Sequence, residues 1–156
     1  MNTEIQKIIA GLKEVLSGSP WYGKSANTLL DEIDPEIVYK KFNDKSHSLI
    51  DVLYHMVTWT EFTLHRLEKS EKMVVNEVEA LDWRETNSSI NTWNNGLAQF
   101  NAANNKIIEL LKTTSDEILE EIVDYRQYNF RVLLNGLIQH HIYHLGQVAY
   151  VNKLLS

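Results

Sequence analysis

The position of its prolines constrains this chain most: the two prolines are Pro20 and Pro35, and none occurs between Glu36 and Ser156. Glycine is scarce as well, with 6 residues in 156. Turns between short strands depend on glycine and proline, so this distribution argues against a many-stranded sandwich or barrel. Long uninterrupted helices are therefore the expected architecture.

The length and composition predict one globular domain over residues 1–156. Hydrophobic residues make up 44% of the chain and charged residues 23%, which excludes intrinsic disorder. Cysteine is absent, which excludes disulfide bonds, a thiol nucleophile and cysteine-ligated metal. The sequence shows neither a signal peptide nor the roughly 20 apolar residues of a membrane span. We therefore expect a cytoplasmic protein with no membrane partner.

The net charge of the chain indicates which classes of partner it is expected to bind. The formal net charge is −6, from 15 Lys and Arg residues against 21 Asp and Glu residues, and no dense basic run occurs. Nucleic-acid-binding proteins usually carry a basic patch or stripe. We therefore expect no nucleic-acid partner.

Apolar residues at helical spacing predict four long helices, which span about 3–16, 47–67, 89–112 and 130–154. We expect Ser46 to cap the second of them. A short helix is predicted near 27–33 and a helical turn after Ser115, whereas 69–87 is expected to be a connector with little regular structure. The fold class predicted is all-α, a four-helix bundle with short extra helices in the connections.

Three of the six histidines fall within five residues near the end of the chain. His140 and His144 are four apart, so both side chains project from one helix face and are able to bind one metal ion. They share that face with apolar residues, and buried imidazoles need partners for their ring nitrogens. The alternative is that one histidine bonds Tyr143, Gln147 or water while the other lies at a hydrated rim.

A third ligand must come from another helix, and His55 is the best candidate because it lies in the middle of the second long helix. Asp51, four residues earlier, is positioned to orient the other ring nitrogen of His55, although a solvated surface carboxylate is an equally good interpretation. Trp59, four residues later, lines either a pocket or the core.

Other residues near the histidine pair have two interpretations each. Gln147 either binds a ligand or fixes an imidazole, and Tyr143 lines either a pocket or the core. Gly136 leaves room beside the metal or permits close helix packing. We expect His141 to pack at an interface and His47 to belong to the capping region of its helix.

Two segments resemble the DinB-like superfamily of metal-binding four-helix bundles, whose relatives include the YfiT-type metal-dependent hydrolases. The residues from His140 to Val148 read HHIYHLGQV and are similar to the H-x-x-x-H-x-G-Q signature of the terminal helix in that family. The segment LYHMV around His55 is similar to the mid-helix histidine of its second helix.

This resemblance implies a three-histidine metal site made by His55, His140 and His144, and a homodimer. It implies one divalent ion, with zinc, nickel and iron all suited to imidazole. The function expected is a metal-dependent hydrolase, or a transferase that uses a low-molecular-weight thiol, acting on a small molecule. The alternative is a non-catalytic dimeric bundle, stress-induced, that binds a metal or ligand. No catalytic residue is assigned beyond the metal site.

Overall fold

The computed structural model describes residues 3–156. In this part of the chain six α-helices follow one another: α1 (Thr3–Ser17), α2 (Ala26–Asp31), α3 (Leu49–Leu67), α4 (Val75–Asp82), α5 (Trp93–Lys112) and α6 (Phe130–Leu155). A 3₁₀ helix (Asp116–Glu120) lies between α5 and α6, and an isolated bridge joins Ile122 to Asn129. None of these helices is both long and apolar enough to cross a membrane.

The four long helices form the bundle that the sequence predicts. Helix α3 packs against α5 and α6, and α1 packs against the same two helices. The short helices lie in the connections, α2 against α1 and α6, and α4 against α3. The fold is therefore an all-α four-helix bundle, and its core is apolar side chains of all four long helices. The predicted bounds of α1 and α6 agree with the structure to within one residue.

The start of α3 differs from the prediction by two residues. Ser48, rather than Ser46, caps the helix, because its hydroxyl accepts a hydrogen bond from the backbone N–H of Asp51. The Asp51 carboxylate in turn accepts one from the Ser48 backbone N–H, which completes a capping box. The predicted start at His47 is wrong for this reason.

The start of α5 is also later than predicted. Thr92 caps the helix by accepting a hydrogen bond from the backbone N–H of Asn95. The predicted first residues lie in a turn in which the Asn87 side chain accepts from the backbone N–H groups of Ser89 and Ile90. A local side-chain bond thus competes successfully with helix extension.

The connector 69–87 was expected to have little regular structure. This expectation is wrong, because the connector contains the helix α4. This helix has one fully buried residue, Val78, and its N-cap residue Val74 provides no capping side chain. Both signals by which a helix is recognised in sequence are therefore weak here. The correction matters because the last residue of α4, Asp82, lies beside His55.

Candidate metal centre

Three histidine side chains from two helices converge inside the bundle. His55 comes from the middle of α3, and His140 and His144 come from successive turns of α6. The Nε2 atoms of His55 and His140 are 3.0 Å apart, and one ring nitrogen of each histidine lies within 4.8 Å of the others. His144 is buried and the other two are half-buried. The packing of α3 against α6 thus brings together all three residues proposed as ligands.

A carboxylate fixes the orientation of His55. The Nδ1–H group of His55 donates to Oδ1 of Asp82 at 2.5 Å, and the indole N–H of Trp59 donates to the same oxygen at 3.1 Å. With its proton on Nδ1, the ring presents the lone pair of Nε2 towards His140. Metal-binding histidines commonly have this arrangement, in which a carboxylate holds the outer nitrogen and leaves the inner one free to coordinate.

Asp82 takes the role for which the sequence analysis nominated Asp51. The Asp51 carboxylate is occupied instead by the backbone of Ser48 and by the hydroxyl of Thr86, which donates to it at 2.9 Å. Asp82 is distant from His55 in sequence and approaches it because α4 packs on α3. The only sequence signal for Asp82 is an acidic residue in a polar connector, which is too common to identify a site.

His144 is oriented by its own helix. Its Nδ1–H group donates to the side-chain oxygen of Gln147 at 2.6 Å, so the lone pair of its Nε2 is the one available for a ligand. Tyr143 is 66% exposed and its ring meets the ring of His144 at a centroid distance of 5.0 Å. Tyr143 therefore belongs to the surface rather than to the core or a pocket wall.

The three histidines are held in the neutral form that binds metals. Burial lowers the pKa of His140 to about 3, and the neighbouring imidazoles of His144 and His55 add to that effect. Burial also lowers the pKa of His55, against the opposing charge of Asp82, and the pKa of His144, against its bond to Gln147. Protons therefore compete weakly with a metal for these rings near neutral pH.

His141 faces a different neighbour from the residues on either side of it. It is completely buried, and its Nε2–H group donates to the side-chain oxygen of Asn104 on α5 at 2.9 Å. Its pKa is lowered to about 3, chiefly by burial. The expectation that His141 packs at an interface is therefore wrong, because it lies in the core of its own chain.

Trp83, which the sequence analysis did not single out, stacks on two histidines. Its indole is parallel to His55 at a centroid distance of 4.3 Å and to His47 at 3.8 Å. His47 precedes the cap of α3 and is exposed. A planar stack thus extends from the triad to the surface, and an aromatic residue directly after α4 is the only sequence signal for it.

A cavity of about 220 Å³ adjoins the triad on the side of His140. Trp59 lines it, and so does Gly136, one helical turn before His140. Apart from Gly136 itself, its two chain neighbours and the backbone of its own helix, no atom of residues 3–156 lies within 4 Å of the position that a Cβ at Gly136 would take. The glycine therefore leaves open space beside the triad rather than serving close helix packing. The other walls of the cavity are formed by Thr63, Tyr128, Val132, Leu133 and Leu137.

Comparison with models of known protein families shows to which family the chain belongs. The family model described as the DinB superfamily matches residues 24–148, which is most of its length. The chain belongs to the DinB superfamily. The resemblance found in the sequence is thereby confirmed, and the match includes α3 and most of α6, the helices that carry the triad.

A solved structure supports the fold of this DinB superfamily member. The chain is similar to the colibactin self-resistance protein ClbS, crystallised in complex with a double-stranded DNA. The TM-score is 0.68 at 16% sequence identity, and the alignment covers 99% of this chain and 97% of ClbS. No curated protein matches the sequence.

The ClbS structure overturns one expectation. Nucleic acid was excluded as a partner because of the −6 charge and the absence of a basic run, yet a protein of this fold is crystallised with DNA. That exclusion is wrong, because net charge describes the whole surface, whereas a nucleic acid contacts only a part of it.

The triad of this DinB superfamily member is suited to a metal ion on structural grounds. The outer nitrogens of His55 and His144 are occupied by hydrogen bonds, which leaves their inner nitrogens as acceptors. The Nδ1 atom of His140 is buried without a hydrogen-bond partner among residues 3–156. Three neutral imidazoles so close together are able to bind a divalent metal.

Proposed function

We propose that this protein is a metal-dependent enzyme in which His55, His140 and His144 hold one divalent ion, zinc, nickel or iron. The observation that carries the proposal is the convergence of three ring nitrogens within 4.8 Å beside a cavity. A set of three histidines leaves a coordination position open and is typical of catalytic rather than structural sites.

The proposed reaction is hydrolysis, or transfer that uses a low-molecular-weight thiol, with a small molecule as substrate. A metal held in this way lowers the pKa of a bound water or thiol and so supplies a nucleophile near neutral pH. Asp82 and Gln147 keep the imidazoles oriented, and Gly136 keeps the cavity open beside His140. The apolar walls of the cavity favour the uncharged part of a substrate over water.

Elemental analysis of protein purified without an affinity tag tests the metal site. We expect close to one divalent ion per chain, and a large loss of metal in His144→Ala because two imidazoles bind more weakly than three. The matched control is His65→Ala, since His65 bonds Glu68 outside the triad. Low metal content that His144→Ala leaves unchanged would contradict the proposal.

Activity assays with and without a small thiol separate the two reaction classes. Turnover of an ester or amide that needs no thiol supports the hydrolase, whereas turnover that occurs with 2-mercaptoethanol but not with its alcohol analogue ethylene glycol supports the thiol-dependent transferase. Either activity should disappear in His144→Ala. A metal-loaded protein that turns over no ester, amide or thiol substrate would support the non-catalytic dimeric bundle.

A second candidate function is contact with double-stranded DNA, which the complex of ClbS with DNA favours. In this chain Lys40, Lys41 and Lys45 are exposed around the exposed Phe42, and together they form a local basic and aromatic segment. Fluorescence anisotropy with a labelled duplex should show binding that weakens with salt and is lost when the three lysines become glutamine. Absence of binding at low salt would remove this candidate.

A further inference from the structure

A tight loop between the 3₁₀ helix and α6 places an arginine, Arg126, against the rings of Trp59 and Phe62. The loop is closed by the hydrogen bonds Val123 N–H to Tyr128 C=O (2.9 Å) and Phe130 N–H to Glu121 C=O (3.0 Å). At its tip Tyr125 has a φ of 65°, a left-handed conformation that is unfavourable for a residue with a side chain. The closed loop therefore holds Arg126 in place against an unfavourable backbone conformation.

Two guanidinium groups lie against one phenyl ring. The Cζ atom of Arg126 is 4.9 Å from the ring centroid of Phe62, and the Cζ atom of Arg66 is 5.5 Å from it. Arg66 is only 1% exposed and also contacts the ring of Tyr125 at 5.1 Å. Aromatic faces stabilise cations, but they do not replace hydrogen-bond acceptors.

Both arginines have unpaired donors, and neither has a counterion among residues 3–156. Arg66 donates from Nη2 to the carbonyl groups of Ser70 and Lys72, yet its Nε and Nη1 atoms are buried without a partner, as is Nε of Arg126. None of the ion pairs in the described part of the chain includes Arg66 or Arg126. A buried charge without a counterion is costly, as at Arg66, and the half-buried Arg126 contacts the same phenyl ring, so the two side chains are suited to binding an anion.

Arg126 lies against two side chains that line the cavity, Trp59 and Tyr128. The Trp59 ring lies 6.0 Å from Cζ of Arg126 and 6.5 Å from the His140 ring. Tyr128 lines the same cavity; burial raises its pKa, and the positive charge of Arg126 and a side-chain hydrogen bond from Arg126 oppose that rise. One indole therefore spans the distance between the proposed metal ligand and the arginine.

We propose that Arg66 and Arg126 form an anion subsite, so that the substrate is a small amphipathic anion. Its apolar part occupies the cavity beside His140, and its carboxylate or phosphate accepts hydrogen bonds from Arg126, while Arg66 adds its charge from the same phenyl ring. This inference rests on the proposed function for the role of the triad. The anion subsite itself is defined by residues outside the triad.

A matched ligand series tests the subsite by calorimetry on the metal-loaded full chain. The ligands are 3-phenylpropionate, 3-phenylpropyl phosphate and the neutral 3-phenylpropionamide. We expect at least one of the anions to bind about tenfold or more tightly than the amide, which corresponds to one charge-assisted hydrogen bond. The variant Arg126→Gln should remove this preference, and Arg126→Lys should retain part of it. Arg131→Gln, which alters an exposed arginine paired with Glu120, is the control and should leave it intact.

The outcomes separate the subsite from the metal site. Repeating the titration with His144→Ala shows whether the anion preference exists without the metal. A preference for the anion that persists in His144→Ala supports the subsite, even if metal analysis contradicts the proposed metal-dependent enzyme. Equal binding of anion and amide, no binding of either, or a preference that survives Arg126→Gln would overturn the subsite, the last because the anion would then bind elsewhere. The backbone amide spectrum verifies by NMR that each variant remains folded, and a shift of the Arg126 Nε–H signal in the unsubstituted protein verifies that the anion reaches this side chain.

Discussion

At the scale of single residues, the site depends on which carboxylate reaches His55. Asp51 is one helical turn away on the same helix, yet it is occupied in capping α3. Asp82 is 27 positions away and is the acceptor that the imidazole bonds. A short-range sequence pattern favours the near residue, but the hydrogen bonds already made by that residue exclude it.

Two conservative variants test which carboxylate bonds His55 and which one caps α3. Asp82→Asn removes the negative charge that holds His55, so metal affinity should fall by about 10–100-fold, with little change in stability. Asp51→Asn weakens the capping box and should lower the free energy of unfolding by about 1 kcal/mol, with metal affinity unchanged. Competition with a chelator measures the affinity, and urea denaturation measures the stability. The reverse pattern would show that Asp51 is the partner of His55.

At the scale of elements, two helical glycines have opposite surroundings. A Cβ at Gly96 on α5 would lie 2.9 Å from side-chain atoms of Leu53 and Tyr54, so this glycine permits the close approach of α3 and α5. Around Gly136 on α6 the space is open. The same substitution should therefore have opposite effects at the two positions.

Urea denaturation of Gly96→Ala and Gly136→Ala measures that difference. Gly96→Ala should lose about 1–3 kcal/mol through overpacking, less the gain in helix propensity. Gly136→Ala should gain up to about 1 kcal/mol, because alanine favours the helix and meets no neighbour. If both variants are stabilised, α3 and α5 do not approach as closely as described.

The elements that could be predicted from sequence are those with strong periodicity. The bundle, α1 and α6 follow from apolar spacing over three or more turns, and so does the shared face of His140 and His144. The start of α5 and the existence of α4 could not be predicted, because they depend on Asn87 side-chain bonds and on contact with α3. Asp82, Trp83 and Arg126 were missed for the same reason, since tertiary contacts alone bring them to the site.

At the scale of the whole molecule, buried histidines make stability depend on pH. The folded-state pKa of His141 is about 3, below the unfolded value of about 6.5, because burial disfavours the charged ring. Below pH 6.5 the unfolded chain therefore binds more protons than the folded chain does. The stability of the metal-free protein should be constant above that pH and fall as the pH drops from 6.5 towards 3, by roughly 1.4 kcal/mol per unit for each such histidine.

Urea denaturation between pH 4 and 8 measures this dependence. His141→Gln should reduce the dependence of stability on pH, since glutamine does not titrate. The same dependence in both proteins would show that His141 is not buried in its neutral form.

The oligomeric state remains a prediction of the sequence. Helices α3 and α6 carry apolar residues on more than one side, and Val132, Ile142 and Tyr150 of α6 are exposed in the single chain. We expect a homodimer that covers part of this surface. Light scattering should give twice the mass of one chain, and the mass of a single chain would refute the prediction.

The weak anchoring of α4 has a consequence for how the site assembles. This helix has one fully buried residue, no capping side chain, and yet supplies the acceptor for His55. Elements with few buried contacts open locally at a small fraction of the global free energy of unfolding. Binding of an ion at the proposed site and packing of α4 against α3 are therefore coupled. Each should stabilise the other by the same free energy. Loss of the ion should accordingly loosen α4 first and leave the bundle intact.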